Sequence, residues 1–175
     1  ERCVSEDDEQ SNYGEAKRLF FNYIDIKKSH IHPITITKND LEKNSFESSL
    51  ERFMREMNEC LPQDSLLPVF DWILLGVGDD GHTASLFPGS TTLAAGLDMK
   101  SGNTCLSVQP LEAPHERMSM TLPRLLNSRK IILHLSGDNK LDVLNQALNG
   151  DDIEELPVRA VLSQPLAPVD IYWAK

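Results

Sequence analysis

Val69-Phe70-Asp71-Trp72-Ile73-Leu74-Leu75 is almost unbroken apolar sequence, and it runs straight into Gly76-Val77-Gly78-Asp79-Asp80-Gly81-His82. A short continuous apolar run that stops at glycine predicts a strand buried on both faces, as in a parallel sheet covered by helices. Working outward, Cys105–Val108 is a weaker strand, Ile131–Leu135 a second strong one ending at Ser136-Gly137, and Val169–Trp173 the last. Between them lie helical spacings. Tyr13, Ala16, Leu19, Phe20, Tyr23 and Ile24 recur every three or four residues, with Ser11 or Asn12 as N-cap. Phe46, Leu50, Phe53, Met54 and Met57 form a second stripe, on a helix starting near Asn39–Leu41 and ended by Pro62. Leu141, Leu144, Ala147 and Leu148 form a third, with Gly150 at its C-terminal end. Residues 151–168 hold three prolines and read as an ordered but irregular connection. Strands alternating with helices predict an α/β fold, Rossmann-like, with a largely parallel sheet flanked by helices in three layers.

The 175 residues suit one domain with a sizeable core, residues 1–175, rather than two. Hydrophobic residues are 40% and charged residues 25%, which excludes a wholly disordered chain. No apolar run approaches the roughly 20 residues that span a bilayer. The net charge of −10 argues against nucleic acid or an anionic membrane as partner, while leaving room for a local basic pocket. Cys3, Cys60 and Cys105 are far apart and form no CxxC, so they read as buried free thiols in a reducing, cytoplasmic compartment. Trp72, Trp173 and His134 read as core, and Arg129 and Lys130 as surface.

The loop after the first strand carries the chemistry. Ligands bind at the carboxyl ends of strands in open α/β sheets, and glycines allow the backbone close approach. Gly76, Gly78 and Gly81 fit G-x-G-x-x-G, with Asp98 about 20 residues on. Asp79 and Asp80 would repel a pyrophosphate, and Pro88 forbids a long helix after the turn, so the dinucleotide reading is rejected. Asp79, Asp80 and His82 as a metal site have no partner cluster; His30 and His32 beside Pro33 read as structural. Two readings stay open on the residues alone: a solvated turn with a hydrogen-bonded histidine, and a histidine base controlled by a nearby aspartate.

The segment Asp71–Gly89 closely resembles the signature of the 6-phosphogluconolactonase family, and the resemblance continues elsewhere. Glu1-Arg2-Cys3-Val4 is similar to the tail of an Asp-Glu-Arg-x-Val motif, and Ser11-Asn12-Tyr13-Gly14 to the Ser-Asn segment that opens the next helix. Arg117-Met118-Ser119-Met120-Thr121 resembles the family's Arg-x-[ST]-x-Thr block, and Gly137-Asp138-Asn139-Lys140 its Gly-x-x-Lys at a strand end. The related glucosamine-6-phosphate deaminases carry a proton-transferring Glu where this chain has Phe87, whose ring cannot titrate, so the lactonase branch is preferred.

The resemblance implies hydrolysis of 6-phospho-D-glucono-1,5-lactone to 6-phosphogluconate in the pentose phosphate pathway, without metal or cofactor. It implies His82 as general base, with Asp80 tuning it or capping the turn. Arg2, Arg117 and Lys140 become the candidates for the phosphate, at strand ends facing one cleft. Backbone amides around Gly78 and Gly81 become candidates for the oxyanion. The alternatives are a deaminase-like isomerase and a non-catalytic sugar-phosphate-binding module. The chain opens one residue after the leading Asp of the first motif and has no Gly-Gly-x-Thr-Pro loop; Gly89-Ser90-Thr91 is a poor substitute. It resembles the C-terminal three-quarters of a lactonase. The expectation is therefore a sheet without its N-terminal strands, inactive and poorly soluble by itself, completed by a second copy or an upstream segment.

Overall fold

The structure, a computed structural model, describes residues 1–43, 45–60, 69–111 and 114–175. In chain order the elements are α1 (Asn12–Leu19), α2 (Lys38–Lys43), α3 (Glu47–Cys60), β1 (Ile73–Leu75), α4 (Leu93–Leu97), β2 (Cys105–Val108), β3 (Arg117–Met120), α5 (Leu122–Leu126), β4 (Ile131–Ser136), α6 (Asp138–Leu148), α7 (Val158–Leu162) and β5 (Val169–Ala174). Strands β1, β4 and β5 form a parallel sheet in that order, with Leu75 opposite Leu133 and Leu133 opposite Ile171. The expected α/β class with a parallel sheet flanked by helices is what the chain adopts. Strands β2 and β3 pair antiparallel as a separate ribbon, and Arg2 bridges to Arg117 at its end.

Alternation along β4 decides where the core lies. Ile131, Leu133 and Leu135 are fully buried, while His134 and Ser136 on the other face are exposed. The buried face packs on Leu125 of α5, Leu144 and Ala147 of α6, and Val158 and Val161 of α7. A second packing region joins α3 to the ribbon: Phe53 and Met57 meet Cys105, and Phe46 meets Cys3 and Met118. Replacing a residue such as Leu133 by Ala would cost about 2–5 kcal/mol, the range for a buried leucine with a cavity left behind.

Several expectations are corrected here. The first strand is shorter than Val69–Leu75: the ladder runs over Ile73–Leu75, and Phe70 makes a separate parallel bridge to Ser128. Asp71 between them turns outward to Arg129 at 3.3 Å. Nor is this strand buried on both faces, since Leu74 and Trp72 are 57% and 60% exposed. Trp72, Trp173 and His134 are not core residues. Trp173 sits on the edge strand β5 and donates its indole N–H to the Gly137 carbonyl at 2.9 Å.

Helix α1 starts where predicted, and of the two cap candidates Ser11 serves, its hydroxyl accepting from the Gly14 N–H. Its apolar residues are another matter: Leu19, Phe20, Tyr23 and Ile24 are exposed, and the helix stops at Leu19. The single helix expected from Asn39 onward is two, α2 and α3, with Ser45 and Phe46 outside both. Its predicted terminator, Pro62, lies outside the described residues. The corner is held by Asp40, whose buried carboxylate accepts from Thr37, Ser48, Ser49 and Arg52. The connection 151–168 contains the short helix α7, and Leu148 is exposed while Val143 takes its place in the core. Cys3 and Cys105 are buried free thiols as expected; Cys60 is exposed. Among the described residues, no helix is long and apolar enough to cross a membrane.

Candidate active site

The loop that leaves β1 is folded by its own backbone. Gly78 N–H donates to the His82 carbonyl at 2.8 Å and Gly81 N–H to the Gly78 carbonyl at 3.1 Å. Thr83, fully buried, donates its hydroxyl to the Gly76 carbonyl, and Leu86 N–H returns to Thr83. Gly81 has φ +75°, a conformation that favours glycine, and an added Cβ there would strike Leu156. Its carbonyl accepts from Val158 N–H, so α7 buttresses the loop from behind. Ala84 is held at φ 52°, an uncommon conformation for a residue with a side chain.

This folding presents His82. Its Nδ1 stands 2.6 Å from Oδ1 of Asp80, which also accepts the His82 backbone N–H at 3.1 Å. Against an ionised carboxylate, which can only accept, Nδ1 is the donor, and in the neutral imidazole that tautomer leaves a lone pair on Nε2. Asp80 Oδ1 thus contacts both the imidazole and the backbone N–H of His82. Gly78 makes the pair possible, because a Cβ there would overlap His82 Nδ1 and Asp80 Oδ1. The Gly78 and Gly81 amides are spent inside the loop, which corrects the expectation that they are free for an oxyanion.

An open cavity of about 600 Å³ lies at the carboxyl end of β1, lined by Arg2, Asn12, Gly78, His82, Ser85 and Arg117 among others. Two of the three predicted cations therefore stand with the histidine. Arg2 is held by Asn12 Oδ1 at 3.0 Å and the Gln10 carbonyl at 2.9 Å. Arg117 is half-buried, and its Nε has no hydrogen-bond partner among the described residues. Burial first, and then the neighbouring Arg2, push its guanidinium below the ordinary arginine value.

The third cation is elsewhere. Lys140, in the first turn of α6, pairs with Asp79 at 2.7 Å and does not line this cavity. Asn139 donates to the same Asp79 oxygen at 3.1 Å. Hydrogen bonding from Lys140, then its charge, hold the Asp79 carboxyl below the usual carboxylate range. In this structure Arg117 lines the cavity, while Lys140 is held by Asp79 outside its lining. Of the remaining histidines, His32 pairs with Glu56 at 2.8 Å, away from the loop. Asp98 caps the end of α4.

Sequence reading passed over three groups at the site. Asn12, read from the sequence only as a cap candidate within the Ser-Asn segment, accepts from Arg2. The Glu1 carboxylate accepts from the backbone N–H groups of Arg2, Asn12 and Tyr13, seating α1 against the ribbon. Phe87, noted for lacking a carboxyl group, lies with its ring centroid 4.1 Å from that of His82.

Comparisons with known proteins point to one family. A 6-phosphogluconolactonase of Pseudomonas putida is 50% identical over 107 residues, which is 61% of this chain and 43% of the relative. One from Haemophilus influenzae is 33% identical over 160 residues, 91% of this chain and 62% of the relative. The chain thus spans about two-fifths to three-fifths of the length of these curated relatives. The crystal structure of a 6-phosphogluconolactonase from Shewanella baltica superimposes with a TM-score of 0.79 at 31% identity, over 100% of this chain and 69% of that one. Residues 1–173 match the family described as glucosamine-6-phosphate isomerases/6-phosphogluconolactonase, and the chain belongs to that family.

Proposed function

We propose that the protein hydrolyses 6-phospho-D-glucono-1,5-lactone to 6-phosphogluconate, as a carboxylic ester hydrolase of cytoplasmic sugar-phosphate metabolism. The observation that carries this reading is the His82–Asp80 pair at the rim of a cavity that also holds Arg2 and Arg117. His82 Nε2 takes a proton from water as the oxygen attacks the lactone carbonyl. The tetrahedral intermediate then breaks its bond to the ring oxygen, which receives the proton from the imidazolium. Asp80 stabilises that imidazolium and keeps Nδ1 protonated throughout. A general base of this kind contributes about 10²–10⁴-fold.

Arg117 and Arg2 hold the phosphate, a reading supported by Arg117 Nε, which has no hydrogen-bond partner among the described residues. Lys140 joins them where the incoming dianion draws it from Asp79. The β1 edge and the exposed Leu74 and Trp72 are covered in the working protein by a further segment or a second copy.

The test is lactone hydrolysis, corrected for the spontaneous reaction, run beside 6-phosphogluconate binding and ammonia release from glucosamine 6-phosphate. Run on the protein with its β1 edge covered, turnover of the lactone without ammonia release is expected. Binding without turnover would make the protein a sugar-phosphate-binding module, and His82-dependent ammonia release would move it to the isomerase branch; either overturns the proposal.

A further inference from the structure

Phe87 is 7% exposed and sits between the two groups on which the proposed chemistry depends. Its ring centroid is 4.1 Å from the imidazole of His82, with 35° between the planes, and the guanidinium carbon of Arg117 lies 5.0 Å from the same centroid. The hydrogen bond to Asp80 fixes one atom of the imidazole but leaves the ring free to swing about that contact. A flat apolar surface at van der Waals distance removes this freedom.

The same surface acts on Arg117. An aromatic face attracts a guanidinium through its quadrupole without neutralising it. A carboxylate in this position would instead bind Arg117 as a counterion and compete with any incoming anion. The orphaned Arg117 Nε agrees with this: the guanidinium is supported, yet not used up.

We propose that Phe87 is a positioning residue, a neutral platform that sets the plane of His82 and carries Arg117 while leaving its charge free for the substrate anion. The substrate half of this statement rests on the lactonase reading; the platform itself does not.

The experiment compares Phe87→Tyr, Phe87→Leu and Phe87→Glu in the full chain. Imidazole ¹⁵N shifts of His82 are read without ligand, kcat and KM are read on the lactone, and Kd on 6-phosphogluconate. Phe87→Leu keeps apolar bulk but loses the flat face. Its kcat is expected to fall at least tenfold with KM changed less than threefold, and the Nδ1-protonated ¹⁵N signature to give way to a tautomer mixture. Phe87→Tyr should restore most of kcat and the wild-type signature. Phe87→Glu should weaken 6-phosphogluconate at least tenfold. Should Phe87→Leu not fold, Phe87→Met takes its place with the same expectations.

A Leu or Met variant with wild-type ¹⁵N signature and kcat within twofold would overturn the positioning role, and an unchanged Kd in Phe87→Glu would overturn the anion half. If the lactone is not turned over at all, the ¹⁵N signature still decides the platform, so the two failures are told apart.

Discussion

Asp80 Oδ1 lies 2.6 Å from His82 Nδ1, while the carboxylate of Asp79, the residue before it, turns away to Lys140 at 2.7 Å. Adjacent aspartates therefore have separate tasks. Asp80 serves the imidazole, and Asp79 ties the loop to the first turn of α6. The turn made by Gly78 and Gly81 sends the two side chains apart.

His82→Ala should lower kcat for lactone hydrolysis by about 10²–10⁴-fold and leave 6-phosphogluconate binding nearly unchanged, since a general base acts mainly in the transition state. Asp80→Asn should act in the same direction, because an amide can stabilise the wrong tautomer. Steady-state kinetics with the spontaneous rate subtracted will check both. A His82→Ala protein with more than half the wild-type kcat would remove the histidine from the mechanism.

Arg117→Ala should weaken 6-phosphogluconate by about 1.5–3 kcal/mol, the range for hydrogen bonds to charged groups. Unphosphorylated gluconate should bind the variant and the wild type alike. Calorimetric titration with both ligands measures the difference. Equal losses would mean that Arg117 supports the fold rather than the phosphate.

Gly78→Ala tests the loop by sterics. The new methyl would occupy the space of His82 Nδ1 and Asp80 Oδ1, so the pair must separate. Activity should fall at least as far as in Asp80→Asn, while the melting temperature moves by only a few degrees. Gly76→Ala, where a Cβ meets nothing within 4 Å, is the matched control.

Asp40 makes stability depend on acid. Burial alone would raise its carboxyl, but hydrogen bonds from the Thr37 hydroxyl, Ser48, the Thr37 N–H and Ser49 outweigh burial and hold it well below the ordinary carboxylate range. A lowered folded-state value stabilises fully above the unfolded value of roughly 3.9 and less as the pH falls below it. Asp40→Asn should therefore cost about 2–3 kcal/mol at pH 7, comparable with losing a charge-assisted hydrogen bond. The gap from wild type should narrow as the pH drops below 4. Urea unfolding at pH 7 and pH 3 will show it; a constant gap would contradict the shift.

Thiol labelling separates the cysteines. Burial pushes Cys3 up to about 12 and Cys105 up to about 11, whereas Cys60 is exposed. At pH 8 one thiol, Cys60, should react quickly with a soluble disulfide reagent, and the other two only after denaturant. Mass spectrometry of the labelled chain identifies the sites; rapid labelling of Cys3 would show that the ribbon opens readily.

Local signals in the sequence were sufficient for β4, β5 and α6, and narrowed the cap of α1 to Ser11 or Asn12. Each depends on neighbours in the chain: short apolar runs, three-and-four spacing, and a side-chain acceptor at the start of a helical stripe. The same signals misled at Trp72, Trp173 and Leu74. An apolar residue declares that it favours burial, but whether another layer covers it is decided by topology. The break between α2 and α3 also escaped the helical spacing, because it depends on Asp40 collecting donors from both sides of a corner.

By itself the sequence determined the α/β class and the glycine-bounded loop after β1, and its family resemblance proposed His82, Asp80, Arg2 and Arg117 as site residues. Only the tertiary structure decided how they associate. It put Arg2 against Arg117 by pairing the chain's first residues with β3, gave Lys140 to Asp79, and laid Phe87 under His82. Spacing along a chain reports which residues share a turn or a strand face. Contacts between segments more than a hundred residues apart arise from packing, which minimises exposed apolar surface and unpaired charge over the whole fold at once.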